Sequence, residues 1–385
     1  MSPDNDIPGF HSLEVIGAGR FESFSPGGDD AVPKVAIRWQ PIDEQVTIRA
    51  SYSQSFVAPT TWELFGGSLQ SEPGISLPDA PQGVQETTEW LSNNGLKAVK
   101  GENYGAGIVV SPKAIKGLTV SVDYYHVQTR NDIFRVDQQQ IVDDLNANGS
   151  ASKYAHLYTF ADGSKLTSTA PNQVLDATWG SLALPLENGA KTETDGLDMS
   201  ATYELPTATA GRFTFFASGD VVFKFLYSDP IIGGPFHYEG EYTDTQVARG
   251  PQGLIPDYSI SAGMTWDIQN FTYTINSRYI PEVKDKGYGF PANNETFTTL
   301  PTTKAPDGPT WTVASWFDID MQLSYEFGRG KPMREWYEGT KLTVGVNNIT
   351  GEAPPLISSS SEDNTDKSSY DIIGRFVYFE VSKKF

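Results

Sequence analysis

Hydrophobic and polar residues alternate along many short stretches of the chain. In residues 46–56, for example, Val46, Ile48 and Tyr52 fall on one set of alternating positions, and Thr, Arg and Ser fall on the other. Successive side chains of a β-strand point to opposite faces of its sheet. The pattern therefore predicts strands that have one apolar face and one polar face.

This period of two recurs about twelve times along the chain. The predicted strands lie near residues 11–24, 34–41, 46–56, 102–111, 118–127, 192–205, 211–227, 258–268, 271–280, 315–327, 340–347 and 374–385. Short turns follow the second, fourth, sixth and eighth strands, and residues 328–339 follow the tenth. Long polar segments follow the odd-numbered strands from the third onward, at 57–101, 128–191, 228–257, 281–314 and 348–373.

The alternation of short and long connections predicts that all the long loops lie at one end of the sheet. Outer-membrane β-barrels have this asymmetry, with short periplasmic turns and long extracellular loops. The predicted strands are also close to the roughly 9–11 residues that cross a bilayer at a tilt. We therefore predict an all-β fold, a transmembrane antiparallel up-and-down β-barrel. A soluble β-sandwich shows the same alternation and is the alternative fold.

Composition narrows the classes of function. The formal net charge of -20 makes the chain a poor partner for nucleic acid, whose binding rests on neutralising phosphates with Lys and Arg. The absence of cysteine excludes disulfides, thiol catalysis and cysteine-bound metals. No run of residues approaches the roughly 18 apolar positions of a transmembrane helix, which excludes helical membrane proteins but leaves membrane barrels open.

Signatures of catalysis and metal binding are missing from the sequence. His11, His126, His156 and His237 are scattered without partners at metal-ligand spacing. No phosphate-binding, nucleophile-elbow or zinc-protease motif occurs. The chain is therefore predicted not to be an enzyme, and we expect no catalytic, cofactor or metal site. Residues 137–149 have helical spacing in a long loop and predict a short surface helix.

Ligand contact, where it occurs, is expected from the long loops, since the binding pockets of barrels lie at their mouths. Two of these loops are rich in aromatic and amide side chains that can stack on a sugar or an aromatic ligand. The alternative is that the rings fold the loops or stand at the membrane interface. The candidate ligand-contacting residues are Trp62, Phe65, Trp90, Phe236, His237, Tyr238 and Tyr242.

Five segments of the chain have a recognisable sequence: IRASYSQSFVAPTTWELF (48–65), WLSNNGLKAVKGENYGAGIVVSP (90–112), GLTVSVDYYHVQTRNDI (117–133), VGVNNITGEAPP (344–355) and YDIIGRFVYFEVSKKF (370–385). These segments resemble one known family, the TonB-dependent receptors of Gram-negative outer membranes. They follow the order of the family's motifs and span nearly the whole chain. In the second segment, Asn94, Gly95, Val99 and Lys100 depart from the family pattern.

The resemblance implies a barrel of about 22 strands, filled by an N-terminal plug that carries a TonB box. Receptors of this kind import scarce ligands such as a siderophore, cobalamin or an oligosaccharide. We expect residues 1–385 to be the C-terminal part of such a barrel, without the plug and without a secretory signal. Contact with the TonB complex would then run only through the plug. Two alternatives are a self-contained barrel of twelve strands, acting as a passive outer-membrane pore or as a structural barrel, and a secreted soluble β-protein that binds carbohydrate.

The last strand resembles the C-terminal signal by which outer-membrane barrels are recognised for assembly. Counting back from the end, Val377, Phe379, Val381 and Phe385 share the face predicted to meet lipid, and Lys383 between them can reach the interface. The resemblance implies two partners for this strand, the barrel assembly machinery and outer-membrane lipid. The expected location is the outer membrane of a Gram-negative bacterium.

Overall fold

Twelve long strands form one antiparallel sheet in which each strand pairs with its neighbours in the chain. The computed structural model describes residues 8–24, 28–230, 233–243, 253–285, 312–330, 335–357, 360 and 364–384. The strands are β1 (Ser12–Phe24), β2 (Gly28–Gln40), β3 (Val46–Val57), β4 (Val99–Val110), β5 (Leu118–Arg135), β6 (Trp179–Pro206), β7 (Arg212–Asp229), β8 (Tyr258–Ile268), β9 (Phe271–Ile280), β10 (Trp316–Glu326), β11 (Thr340–Asn347) and β12 (Phe376–Lys383). Their up-and-down order confirms the predicted architecture.

The alternating pattern located every one of these strands, and β8, β9 and β11 have the predicted bounds. Three strands are longer than predicted by six residues or more: β2 begins at Gly28 rather than at 34, β5 continues through residues 128–135, and β6 begins at Trp179 rather than at 192. The last two pair with each other. Their ladder shifts register between Asn188 and Lys191. A bulge breaks the period of two, so alternation failed to predict the outer half of β6.

The connections after β2, β4, β6, β8 and β10 lie together at what we call the short-turn end. Gly211 in one turn has φ 79°, and a Cβ there would lie 2.1 Å from the backbone oxygen of Asp267. The Asp267 carboxylate pairs with Arg212 at 3.2 Å and with Arg329 at 2.8 Å. Because Arg212 begins β7 and Arg329 lies in the turn after β10, the carboxylate joins neighbouring hairpins.

A second ion pair at the short-turn end joins the turn after β2 to the turn after β4. Lys113 Nζ donates to the carboxylate of Asp43 over 2.6 Å. The hydrogen bonds from Lys113 and Gln45 lower the pKa of Asp43 to about 2. Since the folded-state pKa is depressed, the pair is present at neutral pH and is lost only as the pH falls through about 2.

One face of the sheet is apolar and exposed. The cross-strand partners Ile48 and Ile108 lie on it, for example, and are 37% and 41% exposed. A water-soluble protein rarely exposes so continuous an apolar surface, whereas a barrel wall in lipid requires one. Other exposed side chains on this face are Val15, Ile37, Tyr52, Tyr104, Met199, Phe215, Ile260, Leu323 and Val344.

Glycines on the polar face make room for long side chains that lie flat on the sheet. A Cβ at Gly345 would lie 2.2 Å from the ring of Tyr378, whose hydroxyl donates to Gln322 Oε1 over 3.0 Å. A Cβ at Gly107 would lie 1.9 Å from a carboxylate oxygen of Asp123. The small residues near 105–107 therefore relieve crowding in the wall.

The opposite, long-loop end contains further secondary structure. Its elements are the helices α1 (Thr61–Phe65) and α2 (Gln138–Asn148), the 3-10 turns Gly149–Ala151, Ala155–Leu157 and Asp176–Thr178, and the short strands Ser68–Ser71, Gly74–Leu77, Ala80–Gln85, Thr88–Leu91, Tyr158–Phe160, Gly233–His237, Glu241–Thr243, Gly253–Ile255, Val283–Asp285 and Thr312–Val313. Among the described residues, no helix is both long enough and apolar enough to cross a membrane.

The loops after β3 and β5 share a hydrophobic core, which we call the loop core. Ile75, Leu182 and Leu184 are fully buried within it. This finding corrects the description of these loops as simply polar segments, because their apolar residues are few but converge on one place. The remaining members of the loop core are Leu77, Val136, Ile141, Val142, Leu145, Tyr154, Leu157, Tyr158, Leu166, Val174 and Trp179.

Helix α2 lies where residues 137–149 predicted it. The Asp137 side chain caps its first turn by accepting from the Gln140 amide over 3.1 Å. The prediction of a surface helix was incomplete, since Ile141, Val142 and Leu145 are fully buried. These three side chains form one stripe of the helix, and the stripe completes the loop core.

The last strand places its alternating apolar residues as predicted. Val377, Phe379 and Val381 are 63%, 68% and 58% exposed on the apolar face, and Phe385 lies outside the described residues. Lys383 Nζ donates to the backbone oxygen of Trp336 over 2.8 Å, so its charge is held at the short-turn end. The role of this strand in assembly stays a prediction.

We predict that Gly345→Ala destabilises the sheet by about 1–3 kcal/mol, because the new methyl group displaces Tyr378 and breaks its hydrogen bond to Gln322. Urea unfolding of the chain in phospholipid vesicles, followed by tryptophan fluorescence, measures the loss. The control is Gly17→Ala in β1, where a Cβ would meet no atom within 4 Å. Equal effects of the two substitutions would contradict the close approach of Tyr378.

We also predict that Leu145→Ala destabilises the loop core by about 2–5 kcal/mol, since it removes a fully buried side chain and leaves a cavity. Native-state hydrogen exchange of the loop peptides gives the free energy of opening. Leu69→Ala is the matched control, because Leu69 is 50% exposed, and it should cost less than about 1 kcal/mol. Loops without a shared core would show no difference between the two variants.

Candidate ligand-binding surface

The outer half of β6 is the scaffold of the long-loop end. Residues 182–185 of this strand pair in parallel with Thr88–Leu91, and residues 179–182 pair with Tyr158–Phe160 on the other side. Ser68–Ser71 then pairs with Thr88–Leu91. These segments form a small four-stranded sheet that extends the wall at the long-loop end, and two of its strands belong to the loop after β3.

Helix α1 exposes two of the predicted aromatic residues at the start of that loop. It begins with a reciprocal capping box, in which the Glu63 amide donates to Thr60 Oγ1 and the Thr60 amide donates to Glu63 Oε2. Trp62 is 63% exposed and Phe65 is 55% exposed. A Cβ at Gly66 would lie 2.6 Å from the Trp62 indole, so glycine allows this ring to lie against the helix end.

Trp90 stands on the small sheet, directly between Leu69 and Leu184 on the adjacent strands. The residue is 41% exposed, and the guanidinium of Arg135 lies 5.0 Å from the centre of its ring. Arg135 Nη1 also donates to the backbone oxygen of Leu184. This geometry is a cation–π contact, and it presents a cation beside an exposed aromatic ring.

Backbone hydrogen bonds hold helix α1 against the small sheet. The Asn93 amide donates to the Glu63 oxygen over 2.8 Å, and the Ser92 amide donates to the Gly67 oxygen over 3.0 Å. The Asn93 side chain then donates to the Leu186 oxygen of β6 over 2.8 Å. Trp62, Phe65 and Trp90 therefore belong to one fixed unit, which we call the aromatic surface.

The second group of predicted aromatic residues is placed differently. Tyr238 and Tyr242 are each 4% exposed, so their rings pack the loop after β7 instead of facing solvent. Phe236 is half-buried beside Tyr238. His237 is exposed, and its Nδ1 lies 2.7 Å from Glu239 Oε1. Of these four, only His237 presents an exposed ring.

Charged side chains form a row across the polar face of β1 to β7. Arg49 crosses over Gly107 and donates to both carboxylate oxygens of Asp123, with Nε to Oδ1 at 2.6 Å. A cavity of about 410 Å³ lies against this part of the wall. In strand order the row consists of one carboxylate on β1, two cations on β2 and β3, and three carboxylates on β5 to β7: Glu14, Arg38, Arg49, Asp123, Asp198 and Asp220.

Arg135 is the main feature of this region that sequence reasoning missed. It lies eight residues beyond position 127, where β5 was predicted to end, and Trp90 is 45 positions earlier in the chain. Only the pairing of Thr88–Leu91 with β6 brings them together, and no local pattern encodes that pairing. Within the described ranges, no three His, Asp or Glu side chains converge as metal ligands.

Comparison with solved structures finds the same fold in iron receptors. A mutant of the ferric enterobactin receptor PfeA from Pseudomonas aeruginosa matches with TM-score 0.62 and 15% identity over 99% of this chain and 43% of that chain. The siderophore receptor PirA from Acinetobacter baumannii gives 0.61 and 15%, over 97% and 44%. The FrpB iron transporter from Neisseria meningitidis gives 0.50 and 12%, over 97% and 42%.

The chain therefore spans less than half the length of these proteins, and at such low identity the likeness concerns the fold alone. A search of curated proteins found no match. The family model described as "TonB dependent receptor-like, beta-barrel" matches residues 6–349, which is most of the chain. Together with the twelve-stranded up-and-down sheet, that match places this chain in the β-barrel family of TonB-dependent receptors.

Proposed function

We propose that this chain forms barrel wall and outer loops of an outer-membrane receptor that takes up a scarce ligand by TonB-coupled transport. The observation that carries the proposal is the family match over residues 6–349. The ligand classes are those of the resemblance, namely a siderophore, cobalamin or an oligosaccharide. The short-turn end would face the periplasm, and the long-loop end would face the outside of a Gram-negative cell.

The aromatic surface is the proposed place of ligand contact. Trp62, Phe65 and Trp90 have exposed rings and belong to a unit that is hydrogen-bonded to β6. Because this unit is already ordered, stacking of the rings on a ligand would cost little conformational entropy in the loop. Arg135 adds a cation beside Trp90, which favours a ligand with an aromatic or an anionic group over a purely aliphatic one. His237 is the remaining exposed candidate, on a different loop.

The proposed partners follow from the same assignment. Outer-membrane lipid would cover the apolar face, and the assembly machinery would recognise Val377, Phe379, Val381 and Phe385. Energy coupling would require a plug that contacts the TonB complex, and the plug would come from outside residues 1–385. The proposed activity is transport, not catalysis.

We predict that Ile48→Arg destabilises the chain in phospholipid vesicles by about 2–4 kcal/mol, because the charge would face hydrocarbon. Ser51→Arg, on the polar face of the same strand, is the matched control and should be nearly neutral. Urea unfolding and heat-modifiable migration in gels measure both variants. A soluble β-sandwich would tolerate a charge at Ile48, which is 37% exposed, so a neutral result would refute the membrane assignment.

We predict that truncating the aromatic surface weakens ligand binding. The variants Trp62→Ala and Trp90→Ala should each lose about 1–2 kcal/mol, roughly a 5- to 30-fold rise in Kd, through lost stacking. The probes are ferric enterobactin, cobalamin and a maltooligosaccharide, each titrated against intact cells that express the complete receptor. Fluorescence quenching or radiolabel retention reports the binding.

Trp336→Ala is the control for this experiment. Trp336 is 86% exposed but lies in the turn after β10, at the short-turn end, so its loss should leave Kd unchanged. An equal loss of affinity in all three tryptophan variants would indicate a general effect on folding. Free diffusion of all the probes into liposomes, without saturation, would instead favour the passive pore.

A further inference from the structure

The outward face of β4, β5 and β6 changes from apolar to charged toward the long loops. Nearer the short turns it carries apolar neighbours such as Ile108, Val122 and Met199, which lie side by side on the three strands. Further along, the same face carries His126 and Asp195, which are also cross-strand partners. Since cross-strand partners lie opposite each other in a sheet, the apolar face ends close to one height on the three strands.

Three cations lie side by side just beyond this height. Lys100 of β4 is opposite Arg130 of β5, and Arg130 is opposite Lys191 of β6. Their side chains are between 41% and 60% exposed, and we call them the outer cation row. Like charges that are directly opposite destabilise a sheet, so the outer cation row needs negative charge close by.

Carboxylates of the chain supply only part of that charge. Lys191 Nζ lies 2.7 Å from Glu193 Oε2, but Glu193 Oε1 also accepts from Lys224 over 2.7 Å. Lys100 Nζ lies 3.0 Å from Asp30 Oδ2. An ammonium group has three N–H donors, so both lysines of the row keep a donor that can bind a further acceptor.

Arg130, in the middle of the row, is the least compensated of the three cations. Its Nε donates to Gln128 Oε1 over 2.7 Å. Its Nη2 lies 3.8 Å from Glu102 Oε2, which is too long for a hydrogen bond. Among the described residues, neither terminal nitrogen of Arg130 donates a hydrogen bond. The free N–H groups of a guanidinium match the oxygens of a phosphate or a carboxylate.

The position of the row identifies the source of such an anion. Residues 118–126 of β5 match the roughly 9–11 residues that cross a bilayer at a tilt, so Arg130 lies just past the hydrocarbon. Lys and Arg stems can cover apolar surface while their charges reach the polar headgroups. Because the row faces outward, a solute in the lumen would not meet it, whereas the phosphate of a lipid headgroup would.

We propose that Lys100, Arg130 and Lys191 bind the phosphate of an anionic lipid in the leaflet next to the long loops. Bound lipid would compensate the like charges of the row and hold the wall at a fixed height in the membrane. The proposal rests on the proposed membrane location of the wall, but not on the transported ligand or on coupling to TonB.

Titration of lipid onto the folded chain tests the proposal. The chain is held in dodecyl maltoside micelles, phosphatidylglycerol is added, and native mass spectrometry gives the Kd of each bound lipid. We expect one phosphatidylglycerol to bind more tightly than the others, and more tightly than phosphatidylcholine, which has no net charge. The double variant Lys100→Gln/Lys191→Gln should raise the Kd of that lipid by about 10- to 30-fold, because it removes two cations from the lipid surface.

Two further variants serve as controls. Lys153→Gln/Lys165→Gln removes the same charge from the loop after β5 rather than from the wall, and it should leave the Kd unchanged. Lys191→Arg keeps the positive charge of the row and should bind phosphatidylglycerol as the native chain does.

Equal Kd values in the native chain and in Lys100→Gln/Lys191→Gln would overturn the proposal. So would complete displacement of the lipid by millimolar inorganic phosphate, which would indicate a site for a soluble anion. Heat-modifiable migration of the chain in vesicles tests the membrane location separately. A chain that stays soluble would refute that location and with it the proposal, whereas a chain that inserts but shows no lipid preference would refute lipid binding by the outer cation row alone.

Discussion

The backbone of a strand surrounded by lipid needs a hydrogen-bond partner for every N–H and C=O group, because no water is present to supply one. The order of β1 to β12 follows from this requirement. Each strand takes its partners from its neighbours in the chain, so long ladders are built from connections that are local in sequence. The side chains on one face of the sheet can then be apolar and those on the other face polar. Because successive side chains point to opposite faces, this difference appears in the sequence as an alternation with a period of two.

The same backbone pairing continues beyond the wall into the long-loop end. β5 and β6 remain paired beyond the expected bilayer crossing, and β6 then accepts strands from two different loops. A loop that joins an existing sheet edge satisfies its own backbone groups and gains a surface on which to pack. The loop core forms on this surface, and the aromatic surface with Trp62 and Trp90 is held in place beside it.

The sequence revealed most of the wall and little of the long-loop end, for a physical reason. In β8, β9 and β11 every second residue meets the same surroundings, and the pattern gives the bounds without error. In the outer half of β6, bulges near Asn188 and neighbours on both faces remove that regularity. Long-range contacts are also invisible to a local pattern, so Arg135 beside Trp90 was missed, and the burial of Tyr238 and Tyr242 became clear only from their packing.

β6 has a mechanical consequence for the molecule. A strand of 28 residues is about 90 Å long at roughly 3.3 Å per residue, and only a third of it is needed to cross a bilayer. The remaining residues of β6 extend beyond the bilayer-crossing part of the strand, and strands from the loops after β3 and β5 pair with them. The loops after β3 and β5 are thus connected to the wall through this part of β6 as well as through their own ends, and the bulges at residues 188–191 and 195–196 are the points at which such a strand bends.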